Sequence, residues 1–116
     1  MNYKIFYILG NKEEHFMIKH IVMWRLKETA HGNSKKENAI KIKNMLEALR
    51  GKIPGMINIE VGIDFSFTDS SSDVVLYSEF ATRDDLENYQ VHPEHKAVMP
   101  FILEARIERR VVDYEI

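Results

Sequence analysis

The sequence predicts an α+β sandwich of order β-α-β-β-α-β, and three observations predict it. Four segments alternate with strand periodicity, two intervening stretches repeat at helical spacing behind N-cap signals, and the first and third strands alone are apolar on both faces. Those two strands are therefore expected at the centre of an antiparallel four-stranded sheet.

The first strand, Ile18 to Leu26, places Ile18, His20, Val22, Trp24 and Leu26 on one face and Lys19, Ile21, Met23 and Arg25 on the other. A polar stretch from Lys27 to Asn33 follows. Ser34-Lys35-Lys36-Glu37 has the Ser-x-x-Glu spacing of a capping box, so a helix is expected from Ser34, with Ala39, Ile42, Met45, Leu46 and Leu49 inward and Gly51 closing it. After Pro54-Gly55, the stretch Met56 to Phe65 reads as a second strand burying one face, Ile57, Ile59, Val61, Ile63 and Phe65. The polar loop Thr68 to Asp73 leads to the third strand, Val74 to Phe80. Thr82 caps a second helix whose Leu86 and Tyr89 share the inward face. Pro93 restarts a short helix from an N-cap at His92, with Val98 and Ile102 inward and Pro100 limiting its regularity. Ala105 to Ile116 is the last strand.

In the sheet order fourth-first-third-second this is the ferredoxin-like sandwich. Two helical segments cover only one face of such a sheet, which leaves Ile21, Met23, Val75 and Tyr77 requiring another cover. A homodimer packed through the sheet faces, forming a dimeric α/β barrel, is the expected solution.

Residues 1-16 fit this pattern poorly. Ile5 to Leu9 is too short for a membrane helix or a signal sequence, and Lys12-Glu13-Glu14 ahead of Met17 reads as a translated ribosome-binding site. Residues 1-16 are expected to be an upstream leader and 17-116 the domain. The competing reading is an extra edge strand over Tyr3 to Leu9.

Composition narrows the function. A 45% hydrophobic, 29% charged chain is that of a globular domain, and a net charge of -2 without a long basic block argues against nucleic-acid and anionic-membrane binding. Without cysteine there is no disulfide framework, thiolate metal site or thiol nucleophile, and a reducing cytoplasm is the expected compartment. Gly-rich phosphate loops and Gly-x-Ser-x-Gly elbows are absent.

Chemistry concentrates in Asn88-Tyr89-Gln90-Val91-His92-Pro93-Glu94-His95, which joins a phenol, two imidazoles and a carboxylate to a helix-starting proline. Neutral imidazole can take a proton alpha to a carbonyl, and a phenol can donate to the resulting enolate oxygen. His20, His92 and His95, with Glu94, also offer metal ligands. However, an i, i+3 pair behind a proline need not converge, and His-Glu-x-x-His does not occur, so neither metal nor cofactor is expected. His15 and His31 lie in polar or outlying segments and are expected to be solvent-exposed.

Lys19-His20-Ile21-Val22, Ile53-Pro54-Gly55 before Glu60-Val61-Gly62, Tyr89-x-x-His92-Pro93-x-His95 and Val111-Val112-Asp113-Tyr114 together resemble the stress-responsive A/B barrel domain family. The resemblance runs from Met17 to the C-terminus and implies a small dimeric α+β barrel. Most members have no established activity, while a plant branch contains a cofactor-free polyketide cyclase in which a tyrosine and the second histidine of the His-Pro-x-His run act together. The resemblance places those roles on Tyr89 as proton donor and His95 as base. His20, Val22, Trp24 and Val98 are the expected cavity residues, with Val74 a further aliphatic wall. The cyclase's aromatic lining has no clear match here, so its substrate does not carry over.

The same residues have a structural reading, in which His92 and Pro93 restart the helix, His95 bonds locally, and Tyr89 and His20 are satisfied core groups. Two functional classes therefore compete, an acid/base catalyst on a small, partly apolar carbonyl compound and a non-enzymatic stress-associated or ligand-binding dimer. A cofactor-independent monooxygenase of the dimeric ferredoxin-like type is a third, weaker reading.

Overall fold

The structure, a computed structural model, describes residues 17–116. The leader expected over 1-16 lies outside the described residues. Strand β1 (Ile18–Leu26) is followed by the short strands β2 (Thr29–Ala30) and β3 (Asn33–Ser34), then helix α1 (Lys35–Glu47). Strands β4 (Met56–Ile63) and β5 (Val74–Phe80) precede helices α2 (Arg83–Gln90) and α3 (Pro93–Ala105), and β6 (Arg106–Glu115) closes the chain. The main sheet is antiparallel in the order β4-β5-β1-β6, so the expected fourth-first-third-second arrangement holds.

Alternation decides which side of the sheet is core. Ile18, His20, Val22, Trp24 and Leu26 of β1 are buried, as are Val74, Leu76, Ser78 and Phe80 of β5, and the three helices pack over them. Helix α1 contributes Ala39, Ile42 and Leu46, α2 contributes Leu86 and Tyr89, and α3 contributes Val98, Ile102 and Ala105. Burying an aliphatic or aromatic side chain of this size contributes roughly 1.5–3 kcal/mol. The capping box at α1 is present, with Ser34 Oγ accepting the Glu37 amide at 3.1 Å and Glu37 Oε1 accepting the Ser34 amide at 2.8 Å.

The structure corrects several sequence expectations. Lys27 to Asn33 is not only loop: β2 and β3 form a hairpin whose central residues, His31 (φ 56) and Gly32 (φ 74), are both left-handed, as a two-residue turn matched to strand twist requires. His31 is exposed yet engaged, stacking on Phe101 with centroids 4.1 Å apart and donating from Nε2 to the Phe101 carbonyl at 3.0 Å. Buried Asn38 ties this hairpin to α1 by donating to the Ala30 carbonyl and accepting from Asn33. In β4 only Ile59 and Val61 are buried. A register irregularity between Met56 and Asn58 turns Ile57 out, and Phe65 lies beyond the strand, 89% exposed. Pro100 sits inside α3, which continues through it for 13 residues because the helix is anchored on both sides by Val98 and Ile102.

Lys43 and Glu47 of α1, with Arg50 just beyond it, protect a sheet edge. Glu47 Oε2 accepts the Val61 amide at 3.0 Å, Lys43 Nζ donates to the Val61 carbonyl at 2.6 Å, and Arg50 Nη2 donates to the Ile59 carbonyl at 2.5 Å. The outer backbone groups of β4 are thereby occupied, which blocks edge-to-edge pairing.

Among the described residues no helix covers the opposite face of the sheet. Ile21 stands beside Tyr77 and Val112, and Met23 beside Val75, in a continuous apolar strip. Met23, Val112 and Tyr114 are 38%, 48% and 42% exposed. At one end Tyr77 donates to Glu79 at 2.5 Å and Lys19 lies 5.5 Å from the Tyr77 ring centre, giving the strip a charged margin.

Gly55 has φ +81, and a Cβ there would overlap the Asp85 carboxyl group, whereas Gly51, also at φ +81, meets open space. Gly55→Ala should therefore cost more than Gly51→Ala, whose loss is about 1 kcal/mol of left-handed strain. Urea denaturation of both variants checks this, and equal midpoints would refute the overlap.

Candidate functional site

The site lies between the centre of the sheet and the α2–α3 joint. Leu86 and Tyr89, three residues apart on α2, face the core together, and α2 stops at Gln90. His92 then caps α3, its Nδ1 accepting the Glu94 amide at 3.0 Å, and Pro93 occupies the first helical turn. This joint brings the His95 ring to 4.3 Å from the Tyr89 ring. His20 arrives from β1, 6.1 Å from Tyr89 and edge-on to it. The two expected catalytic residues and His20 thus meet in space.

They line a small, partly open cavity of about 40 Å³ together with Val22, Trp24, Leu46, Leu76, Gln90, Met99, Ile102 and Arg109. This is room for a few atoms, against the 10–15 Å³ or so that one water needs. Val98, expected in the wall, is buried in the core and does not line the cavity, whose α3 wall is formed by Met99 and Ile102 with His95. Val74 is likewise buried in the core and not part of the wall. A second, half-open cleft of about 370 Å³ lies between α2 and β6, lined by Arg83, Leu86, Glu87, Asp113 and Tyr114 among others, and Gln90 borders both spaces.

Each imidazole is tied at one nitrogen. His20 Nδ1 donates to Asp113 Oδ1 at 2.5 Å, and His95 Nδ1 donates to the Gln90 carbonyl at 3.2 Å. Since a carboxylate and a carbonyl only accept, both bonds fix the proton on Nδ1, and in the neutral ring Nε2 keeps its lone pair. Burial pushes the His95 pKa down. The Gln90 bond opposes this, and the electrostatic influence of His20, Arg109 and His92 adds to it. Burial pushes the Tyr89 phenol far up, with Arg109 opposing weakly, so Tyr89 stays a protonated donor. Its hydroxyl, like Trp24 Nε1, is buried without a hydrogen-bond partner. A buried donor without an acceptor beside a lone-pair imidazole can donate to and accept from one small molecule.

Sequence reasoning missed Asp113 and Arg109 as site residues. Asp113 pairs with His20 across β1 and β6, and Arg109 with Trp24. Charged groups alternating with Val111 on the inward side of the last strand were the available signal, but only the register reveals their partners. No cluster of three or more His, Asp or Glu among the described residues could hold a metal ion.

With this geometry in view, the sequence profile described as "Stress responsive A/B Barrel Domain" matches residues 18–116. The chain belongs to the stress-responsive A/B barrel domain family. This A/B barrel domain is 36% identical to a dimeric ferredoxin-like protein of unknown function from Bacteroides fragilis, with a TM-score of 0.77 over 86% of this chain and 96% of that one. A family member from Mesorhizobium loti is 25% identical, with a TM-score of 0.64 over 85% and 95%. A hydroxynitrile lyase from Passiflora edulis, 19% identical with a TM-score of 0.72 over 86% and 93%, shares the fold. No curated protein matches the chain.

The downward shift of His95 sets a pH dependence. The unfolded chain binds the His95 proton near pH 6.5 while the folded chain does so lower, so the stability held by neutral His95 is complete above 6.5 and is lost as pH falls through the folded value. NMR titration should find His95 below 6.5, and His95→Gln should flatten the fall in stability between pH 7 and 5. A His95 titrating above 6.5 would contradict this account.

Proposed function

We propose that this A/B barrel domain is a cytoplasmic homodimer, packed sheet to sheet, whose helix-side cavity binds a small, partly apolar carbonyl compound and catalyses cofactor-free proton transfer on it. The observation carrying this reading is the unpartnered Tyr89 hydroxyl, buried beside two imidazoles whose Nδ1 protons are already committed. His95 is the base, because burial keeps it neutral with Nε2 free. Tyr89 is the proton donor toward the enolate oxygen. His20, held by Asp113, is the cavity partner. Aldol-type cyclisation begins with such a step, and a hydroxynitrile lyase on this fold supports the reading at the level of architecture only.

A second reading, a ligand-binding or stress-associated dimer without catalysis, draws on the His95–Gln90 bond and the small cavity. The two separate on α-hydrogen exchange. The wild type should accelerate deuterium incorporation alpha to the carbonyl of small ketones, and His95→Ala or Tyr89→Phe should each lose about 10²–10⁴-fold of that rate. Absence of exchange above the buffer rate favours the non-catalytic reading.

The dimer is supported by the apolar strip with its charged margin and by the dimeric state of the Bacteroides fragilis relative. Light scattering should give a dimer at micromolar concentration and a monomer for Met23→Lys. A wild-type monomer under those conditions refutes the sheet-to-sheet interface.

A further inference from the structure

Among the described residues only two buried side-chain polar atoms lack a hydrogen-bond partner, the Tyr89 hydroxyl and Trp24 Nε1. Both residues are walls of the same cavity of about 40 Å³. A buried donor left unmade is costly, so native interiors rarely keep one without a reason, and here both fall at one place. The indole N–H can only donate. Arg109, the β6 partner of Trp24, lines the same cavity and brings a positive charge. Of the other polar walls, His20 has its Nδ1 proton engaged by Asp113 and His95 by the carbonyl of Gln90, which itself borders the cavity. The cavity therefore offers two neutral donors and a cation to an oxygen, and imidazole lone pairs to a proton.

We propose that Trp24 Nε1–H and Tyr89 O–H are the two arms of a donor clamp that receives the carbonyl oxygen of the ligand, with Arg109 supplying charge beside it. This rests on the carbonyl-binding reading above and adds to it a binding residue and a size limit. A space of about 40 Å³ admits a short ketone or aldehyde, or the carbonyl end of a longer molecule whose remainder lies in the cleft beyond Gln90. When His95 Nε2 takes the α-proton, the C–H pair becomes the enolate C=C bond and the carbonyl π pair moves to oxygen. The clamp meets the charge at that oxygen, where preorganised donors are most effective.

Trp24 is the only tryptophan of the chain, so its single indole ¹H–¹⁵N resonance reports this donor directly. The full chain is titrated with acetone as carbonyl probe and with xenon, which fills space but accepts no hydrogen bond. Acetone should move the indole resonance downfield saturably, and xenon should not. Trp24→Phe, which keeps a ring but no N–H, should weaken acetone binding roughly tenfold. His95→Ala should retain the indole shift while losing α-deuterium exchange.

An indole resonance unmoved by acetone up to the highest concentration at which the fold persists, as when water alone satisfies the donors, overturns the clamp. So does undiminished acetone binding by Trp24→Phe. The wild-type titration needs no variant and decides the matter even if Trp24→Phe does not fold. Exchange without an indole shift sinks the clamp and leaves the acid/base reading standing, whereas an indole shift without exchange supports the clamp and sinks acid/base catalysis.

Discussion

An imidazole withdrawn from water must commit its N–H groups, and the way His20 does so organises the centre of this protein. His20 is 3% exposed in the middle of β1. Its Nδ1–H is met by Asp113 because β1 and β6 pair in the register that sets these two residues side by side. A slip of one residue would turn Asp113 to the other face and leave the buried donor unmade. The same register brings Arg109 beside Trp24 and Val111 beside Val22. The polar half of the cavity thus follows from one strand pairing, and the ring of His20, once fixed, gives Tyr89 an edge to pack on.

The helical side completes the cavity by interruption. A continuous helix from Arg83 to Ala105 would carry His95 past Tyr89, but Pro93 cannot continue the amide ladder of α2, so the chain turns and restarts under a histidine cap. The catalytic and structural readings of the Tyr-x-x-His-Pro-x-His run are therefore not exclusive. His92 and Pro93 aim His95, and the Gln90 carbonyl at the end of α2 sets its tautomer.

The two sheet edges and the open face are managed by different physics. Side chains of α1 and of Arg50 just beyond it occupy the outer backbone of β4 at Ile59 and Val61, which blunts that edge for pairing. The open face, by contrast, keeps an apolar strip whose exposure is high for a monomer.

The order of the main elements, the central placement of β1 and β5, the α1 capping box and the histidine cap of α3 were legible in the sequence, because periodicity and caps are local properties within a few residues. Phe65 and Ile57 misled for a related reason: alternation cannot reveal where a strand ends or bulges. His31 looked like idle surface because its partner, Phe101, is 70 residues away. Tyr89, His95 and His20 could be named from their chemistry and family pattern, but only the tertiary structure made them neighbours and added Asp113, Arg109 and the unpartnered Trp24. Register between distant strands, burial and the size of an enclosed space are properties of packing, and no single segment encodes them.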